Sequence, residues 1–342
     1  MVSSILGLEI NAIEAAMFHK GLIQVILHSI MWTTEVKLPA DLPHLNHQDS
    51  IVLMGSCFSS EIGGKLERSM FTVNTNEFGV IFHPIPICRA IDRALDGYNY
   101  SERDLIFAQG KWHSTDHQSH VSHENKDEAL RLMNICSTRL KDALVKAKLL
   151  VLTLGTSWGY LHKMNDLVVA NCHRIPQAEF SKELSSKEEL VVILDELRGK
   201  LSRFNPSLEV IYTVSPVRHW KDGGIENSNS KSELIAAVHN VSRSQAKTHY
   251  FPAYEIMIDE LRDYRFYKDD MLHPSSLAVS FIWDKFQMCV MDKELRLLND
   301  KLMKHARIFD HRDESEAHLS EKERVGVQMK KMVSEFYGTK KG

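Results

Sequence analysis

The chain is short of several things that would assign it quickly. It has five cysteines in 342 residues, Cys57, Cys88, Cys136, Cys172 and Cys289. They are an odd number, far apart, with no Cys-x-x-Cys pair. This excludes a disulfide framework and fits a reducing, cytoplasmic setting. Charge of one sign is not in excess: the net charge is −3, so nothing in it argues for nucleic acid or an anionic membrane surface as partner. No apolar run reaches the ~20 residues that span a bilayer; "LIQVILHSIM" is the nearest. It also lacks the basic start and small-residue cleavage site of a signal peptide. Gly-x-Gly-x-x-Gly and Gly-Lys-Ser/Thr loops are missing, and Gly63-Gly64 does not replace them, so no nucleotide cofactor is expected. Internal repeats and low-complexity tracts are absent too. What remains is an ordinary globular composition, 43% apolar and 25% charged, long enough for one large domain with additions.

The pattern along the chain alternates strand and helix about five times. Buried strands are expected at 51–54, a short apolar run, at 149–155, an apolar run ending at Gly155, and at 208–216, stopped by Pro216. Two lesser strands are expected near 71–82 and at Tyr250-Phe251. Helices are expected over 61–68, from the two prolines after His83 to about Leu95, over 126–149, 186–204, about 255–261 and 275–292. "YLHKMNDLVVANCH" reads as a hairpin turning at Asn165-Asp166. Alternation of this kind predicts a parallel sheet of about five strands with helices on both faces, the three-layer α/β/α sandwich of flavodoxin-like proteins. In such sheets ligands bind beyond the carboxyl ends of the strands. Ser56, Gly155, Ser215 and the loop after Phe251 all fall there. Residues 1–30 are expected to be an extension, the product of a start placed too early, with Met31 as the true start. Residues 31–292 form the catalytic domain, and 293–342 a charged helical appendage.

Two stretches carry chemistry. "IVLMGSCFSS" places Ser56 and Cys57 on the turn from a buried strand into a helix. "YKDDMLHPSS" contains Asp270 and His273 as an Asp-x-x-His. A nucleophilic hydrolase needs a nucleophile, a base within reach of it, and a group that orients the base. Ser56 with His273 and Asp270 would supply all three. Cys57 is the competing nucleophile, since a helix N-terminus stabilises a thiolate; the alternative is that its side chain points into the fold. The histidine-rich "KWHSTDHQSHVSHEN" offers His113, His117, His120, His123 and Asp116 at spacings that could hold a metal. The plainer reading is a polar lid, with His117 or Ser119 touching substrate, and no metal is assigned. Arg218 and His219 follow a strand end and either bind an anionic part of the substrate or pair with Asp222 or Glu226.

"GSCFS", "NEFGVIFHP", "LGTSWGY", "VVANCHRIP", "TVSPVRHWKDG", "SKSEL" and "YFPAYEIMIDELRDYRFYKDDMLHPSS" occur in that order between about Met31 and Asp292. Together they resemble the GSCFA family, a bacterial-type group that belongs with the SGNH/GDSL-like hydrolases. The resemblance implies a serine esterase or acyl-transfer site with Ser56 as nucleophile, His273 as base and Asp270 as its orienter, and no cofactor. It implies oxyanion donors at the backbone N–H of Ser56 and at Gly79. The asparagine usual after the third strand is missing from Gly155-Thr156-Ser157, so Thr156, Ser157 or Asn171 is left to supply the third, a donor worth ~3 kcal/mol in hydrolases. The expected substrate is a small-molecule or carbohydrate ester. The other two readings are O-acyl transfer to a carbohydrate and a non-catalytic metal- or ligand-binding module on a degraded hydrolase fold.

Overall fold

The computed structural model describes residues 34–339 apart from 165 and 311–314. The expected extension at 1–30, and Asn165 of the expected hairpin turn, lie outside the described residues.

Ten strands are described: β1 (Ser50–Gly55), β2 (Thr72–Thr75), β3 (Leu105–Ala108), β4 (Lys111–Ser114), β5 (Leu149–Leu154), β6 (Trp158–His162), β7 (Leu167–Val168), β8 (Phe180–Leu184), β9 (Glu209–Val214) and β10 (Thr248–Tyr250). The principal helices are α1 (Cys57–Arg68), α2 (Pro84–Asp96), α3 (Lys126–Lys146), α4 (Lys187–Phe204), α5 (Gly224–Ser244), α6 (Ser276–Val290), α7 (Lys293–Ala306) and α8 (Glu316–Thr339). The main sheet has the order β2-β1-β5-β9-β10, and every pair in it is parallel. Counting only its own strands, that is 2-1-3-4-5, the flavodoxin-like order, with the switch point between β1 and β5.

Alternation along the strands builds two cores. Val52 and Met54 of β1, Leu150, Leu152 and Leu154 of β5 and Val210, Tyr212 and Val214 of β9 face α2 to α5. Their neighbours Ile51, Leu53, Leu149, Val151 and Ile211 face α1, α6 and α7. Successive side chains on a strand point to opposite faces, so runs that are apolar at every position are the signature of a sheet covered on both sides. The C-terminal helices close the second core through Leu295, Leu298, Leu302, Val325 and Met329. Two small antiparallel additions stand apart from the sheet, β3-β4 and β7-β6-β8. Strand β8 is not legible as such in "FSKEL": only Phe180 is buried, and the rest is half-polar edge.

The turn from β1 into α1 is shaped by Gly55. Its φ is +132°, and a Cβ there would sit 2.1 Å from the carbonyl oxygen of Thr153. Only glycine lets β1 and β5 approach so closely while the chain turns. Ser56 then caps α1, its Oγ accepting from the N–H of Phe58. The helix therefore begins at Cys57, four residues earlier than the apolar pattern indicates.

Candidate active site

The carboxyl ends of β1, β5 and β9 deliver Ser56, Gly155 and Ser215 to one place. Ser56 Oγ donates to Ser215 Oγ at 3.0 Å, and the Ser56 N–H donates to the carbonyl of Thr153 at 3.0 Å. Lys231 of α5 lies beneath, buried, its Nζ donating to the carbonyls of Gly155 at 2.6 Å and Ser215 at 2.8 Å. Burial pushes this ammonium down to about 7. Its two carbonyl partners are what hold the ends of β5 and β9 together over a buried cation.

Asp270 and His273 sit on the turn before α6. Asp270 Oδ1 accepts from the N–H groups of Leu272 and His273, both at 2.9 Å. Its Oδ2 meets His273 Nδ1 at 2.6 Å. A carboxylate can only accept, so Nδ1 carries the proton and Nε2 is left as the base. The backbone N–H of His273, then that of Leu272, then the ring, lower Asp270 to about 2. Asp270 is therefore a carboxylate at neutral pH. The loop is tied to the end of β9 by the Arg218 N–H, which donates to the carbonyl of Leu272 at 3.1 Å.

An open groove of about 350 Å³ runs beside this pair, lined by Cys57, Phe58, Glu61, Val217, Lys268, Asp270, His273, Pro274 and Val279. The first turn of α1 forms one wall and the Asp-His turn the other. Cys57 is half-buried on that wall, whereas Ser56 is 0% exposed. A larger cleft of about 590 Å³ lies along β10 between Lys37–Asp41 and the end of α5, and neither Ser56, Cys57, Asp270 nor His273 lines it.

The remaining residues singled out by the sequence are distributed unevenly. Arg218 and His219 do come to the dyad. Arg218 lies over the Trp220 ring at 5.2 Å, and its sequence-expected partner Asp222 pairs instead with Lys182 at 2.7 Å. His219 is mostly buried, packs edge-on against Phe82 at 4.9 Å, and is held down to about 3 by burial, Lys231 and His273. The expected oxyanion donors are committed elsewhere. The Ser56 N–H is taken by Thr153. The Gly79 N–H donates to Asn76 O at 2.7 Å. The Ser157 N–H and Oγ are taken by Ser230, and Thr156 Oγ1 is also bound to Ser230. Asn171 Oδ1 accepts from the His173 N–H, and its side chain does not line the groove; none of these five residues does. His117 and Ser119 do not line the groove either. His117 is buried and stacks on Phe78 at 4.1 Å, and Ser119 Oγ meets His173 Nδ1. The histidine-rich segment is a structural layer, and among the described residues no group of three or more His, Cys, Asp or Glu is placed to hold a metal. Ser215 was placed at a strand end by the sequence, but Lys231 was not readable as a site residue, because nothing local to "SKSEL" says that it lies beneath that end.

The fold is a flavodoxin-like α/β/α sandwich with a Ser-Cys turn after its first strand and an Asp-x-x-His turn before α6. Residues 50–286 match the model of the GSCFA family, and the chain belongs to that family. Among solved structures it is similar to a family two carbohydrate esterase from Clostridium thermocellum in complex with cellohexaose. That similarity has a TM-score of 0.37 at 12% identity, over 75% of this chain and 66% of that one, just under two thirds of its length. It is similar also to a carbohydrate esterase family 3 protein from Talaromyces cellulolyticus, with a TM-score of 0.35 at 8% identity, over 73% and 98%. At these TM-scores the likeness carries no argument about activity. No curated protein matches the chain. Among the described residues no helix is long and apolar enough to cross a membrane.

Proposed function

We propose that this protein cleaves or transfers an acyl group held in ester linkage, through a covalent acyl-enzyme formed on the Gly55-Ser56-Cys57 turn. The observation that carries the reading is the 2.6 Å contact of Asp270 with His273 Nδ1, on a groove whose opposite wall is that turn. His273 Nε2 takes the proton of the nucleophile as it attacks the acyl carbon. The imidazolium, balanced by ionised Asp270, returns that proton to the departing alcohol. Water, or a second hydroxyl, then resolves the acyl-enzyme by the same base. The substrate is an ester of a small molecule or carbohydrate. Glu61, Lys268 and Asp270 around the groove favour a polar alcohol portion over a long apolar one. Residues up to 292 carry this chemistry, with α7 and α8 appended. The five free cysteines suit a reducing compartment.

Turnover of p-nitrophenyl acetate tests this. His273→Ala removes the base without touching a core and lowers kcat/KM by about 10²–10⁴-fold, the usual worth of a positioned acid–base group. Asp270→Asn keeps the turn but loses the charge and lowers it by a smaller factor. Equal rates in wild type and both variants would end the proposal.

A further inference from the structure

We infer that Cys57, not Ser56, is the nucleophile, and that the acyl-enzyme is a thioester. The inference rests on the acyl-transfer reading above and specifies its reacting atom.

Ser56 is built into the structure as a cap. It is 0% exposed. Its Oγ donates to Ser215 Oγ and accepts from the Phe58 N–H. Its N–H goes to Thr153 O and its carbonyl accepts from the Ser59 N–H. To attack a substrate it would have to leave the cap, break the Ser215 bond and enter a groove that it does not line. Cys57 is the next residue and is turned the other way. It lines the same groove as His273 and Asp270, so nucleophile, base and orienter share one cavity only if the nucleophile is the thiol.

The backbone agrees. Cys57 is the first residue of α1, so its N–H has no intrahelical acceptor and faces its own thiol instead. A nucleophile whose N–H is not tied into the helix or the sheet can turn it to the oxyanion that forms when it attacks. Ser56 cannot, because its N–H is spent on β5. The helix N-terminus adds positive potential at the same point.

The thiol also needs a base. Burial, and then Glu61, push it above its ordinary value, while the backbone N–H groups of Cys57 and Phe58 and the ammonium of Lys268 pull the other way. At neutral pH it is protonated, and His273 Nε2 supplies the acceptor. As Sγ attacks, the S–H proton passes to Nε2 and the C–S bond forms. The C–O bond of the ester then breaks and the alcohol leaves with that proton. Water attacks the thioester and gives a proton to His273. The C–S bond breaks, the acid is released, and His273 returns the proton to sulfur.

The test compares wild type, Cys57→Ala, Cys57→Ser, Ser56→Ala and His273→Ala, each checked for folding by circular dichroism. It measures p-nitrophenyl acetate turnover and iodoacetamide alkylation with peptide mapping. Cys57→Ala loses at least about 10³-fold in turnover, as nucleophile removal does in hydrolases. Cys57→Ser retains a small residue of it. Ser56→Ala loses no more than about tenfold, with lower thermal stability from the lost cap. Wild-type Cys57 is alkylated ahead of the other four cysteines at pH 7, and His273→Ala slows it about tenfold or more. A dead Ser56→Ala beside an active Cys57→Ala overturns the inference and leaves the acyl reading standing on Ser56. Wild-type rates in all four variants overturn both. Alkylation of Cys57 no faster than that of buried Cys88, and unaffected by His273→Ala, overturns the inference even without a good ester substrate.

Discussion

Asp116→Ala destabilises the protein by about 3–5 kcal/mol, the cost of stripping one partner from a buried ion-pair network. Asp116 is 0% exposed. Its Oδ1 accepts from Arg89 Nε at 2.8 Å, and Oδ2 accepts from Arg93 Nη1 at 2.5 Å and from Tyr100 Oη at 2.9 Å. Burial works against the carboxylate, but Arg89 and Arg93 more than offset it and hold its carboxyl below the ordinary range. With the carboxylate gone, two largely buried guanidinium groups on α2 and the Tyr100 hydroxyl face one another without an acceptor. Asp116→Asn keeps the volume and one acceptor oxygen and costs less, because the amide leaves the cations uncompensated but still bonded. Urea unfolding of wild type and the two variants measures this. A loss under about 1 kcal/mol for Asp116→Ala would mean that the network is relaxed by water. Because the network joins α2 to the loop after β4 and touches no groove residue, kcat/KM of the folded fraction stays within about twofold.

Lowering the pH from 7 to 5.5 removes about 4–5 kcal/mol of stability, and four buried histidines account for it. His83 and His173 are pushed down to about 4, and His117 and His219 to about 3, in each case first by burial. Their hydrogen bonds explain why they stay neutral. His83 Nδ1 accepts from the Ile85 N–H while Nε2 reaches the carbonyl of Ser157, so a second proton would set donor against donor. His117 Nε2 and His219 Nε2 are buried with no partner among the described residues. In the unfolded chain each takes up a proton near pH 6.5. The folded chain refuses it until about pH 4 or below. Between those values the unfolded state binds more protons, so stability rises with pH and falls on acidification. Each histidine contributes about 1 kcal/mol over this interval. Thermal unfolding at pH 7 and pH 5.5 reads the sum. His117→Phe, which keeps the stack on Phe78, reduces the drop by about a quarter. A melting temperature that does not move between pH 7 and pH 5.5 would show that these histidines are not neutral in the fold.

Much of the architecture was legible because it rests on local patterns. The run at 51–54 is apolar throughout, and those at 149–155 and 208–216 are broken only by Thr153 and by Glu209, Thr213 and Ser215, which is the pattern of a sheet covered on both faces. Their order in the chain, with helices between, leaves little choice but a right-handed doubly wound sheet. The Asp270-His273 pair was legible as well, since an Asp-x-x-His on a turn before a helix makes its own contacts within four residues. The nucleophile was harder. Ser56 and Cys57 are adjacent, and which one turns outward depends on Ser215 and Thr153, contributed from β9 and β5. The oxyanion donors pose the same difficulty. Gly79 and Ser157 have suitable chemistry, but Asn76 and Ser230 hold their donors through contacts that no spacing reveals. Lys231 is the clearest case: a lysine in a helix of mixed composition, buried because two strand-end carbonyls meet there.

The account stands on a covalent intermediate at the turn between β1 and α1. The most direct measurement is acid-quenched intact mass spectrometry after brief exposure to p-nitrophenyl acetate, followed by peptide mapping, on wild type and His273→Ala. The prediction is one acetyl group per chain, carried on the peptide containing Gly55-Ser56-Cys57, and its loss in His273→Ala. Acetylation confined to surface lysines, or identical in the two proteins, would contradict it.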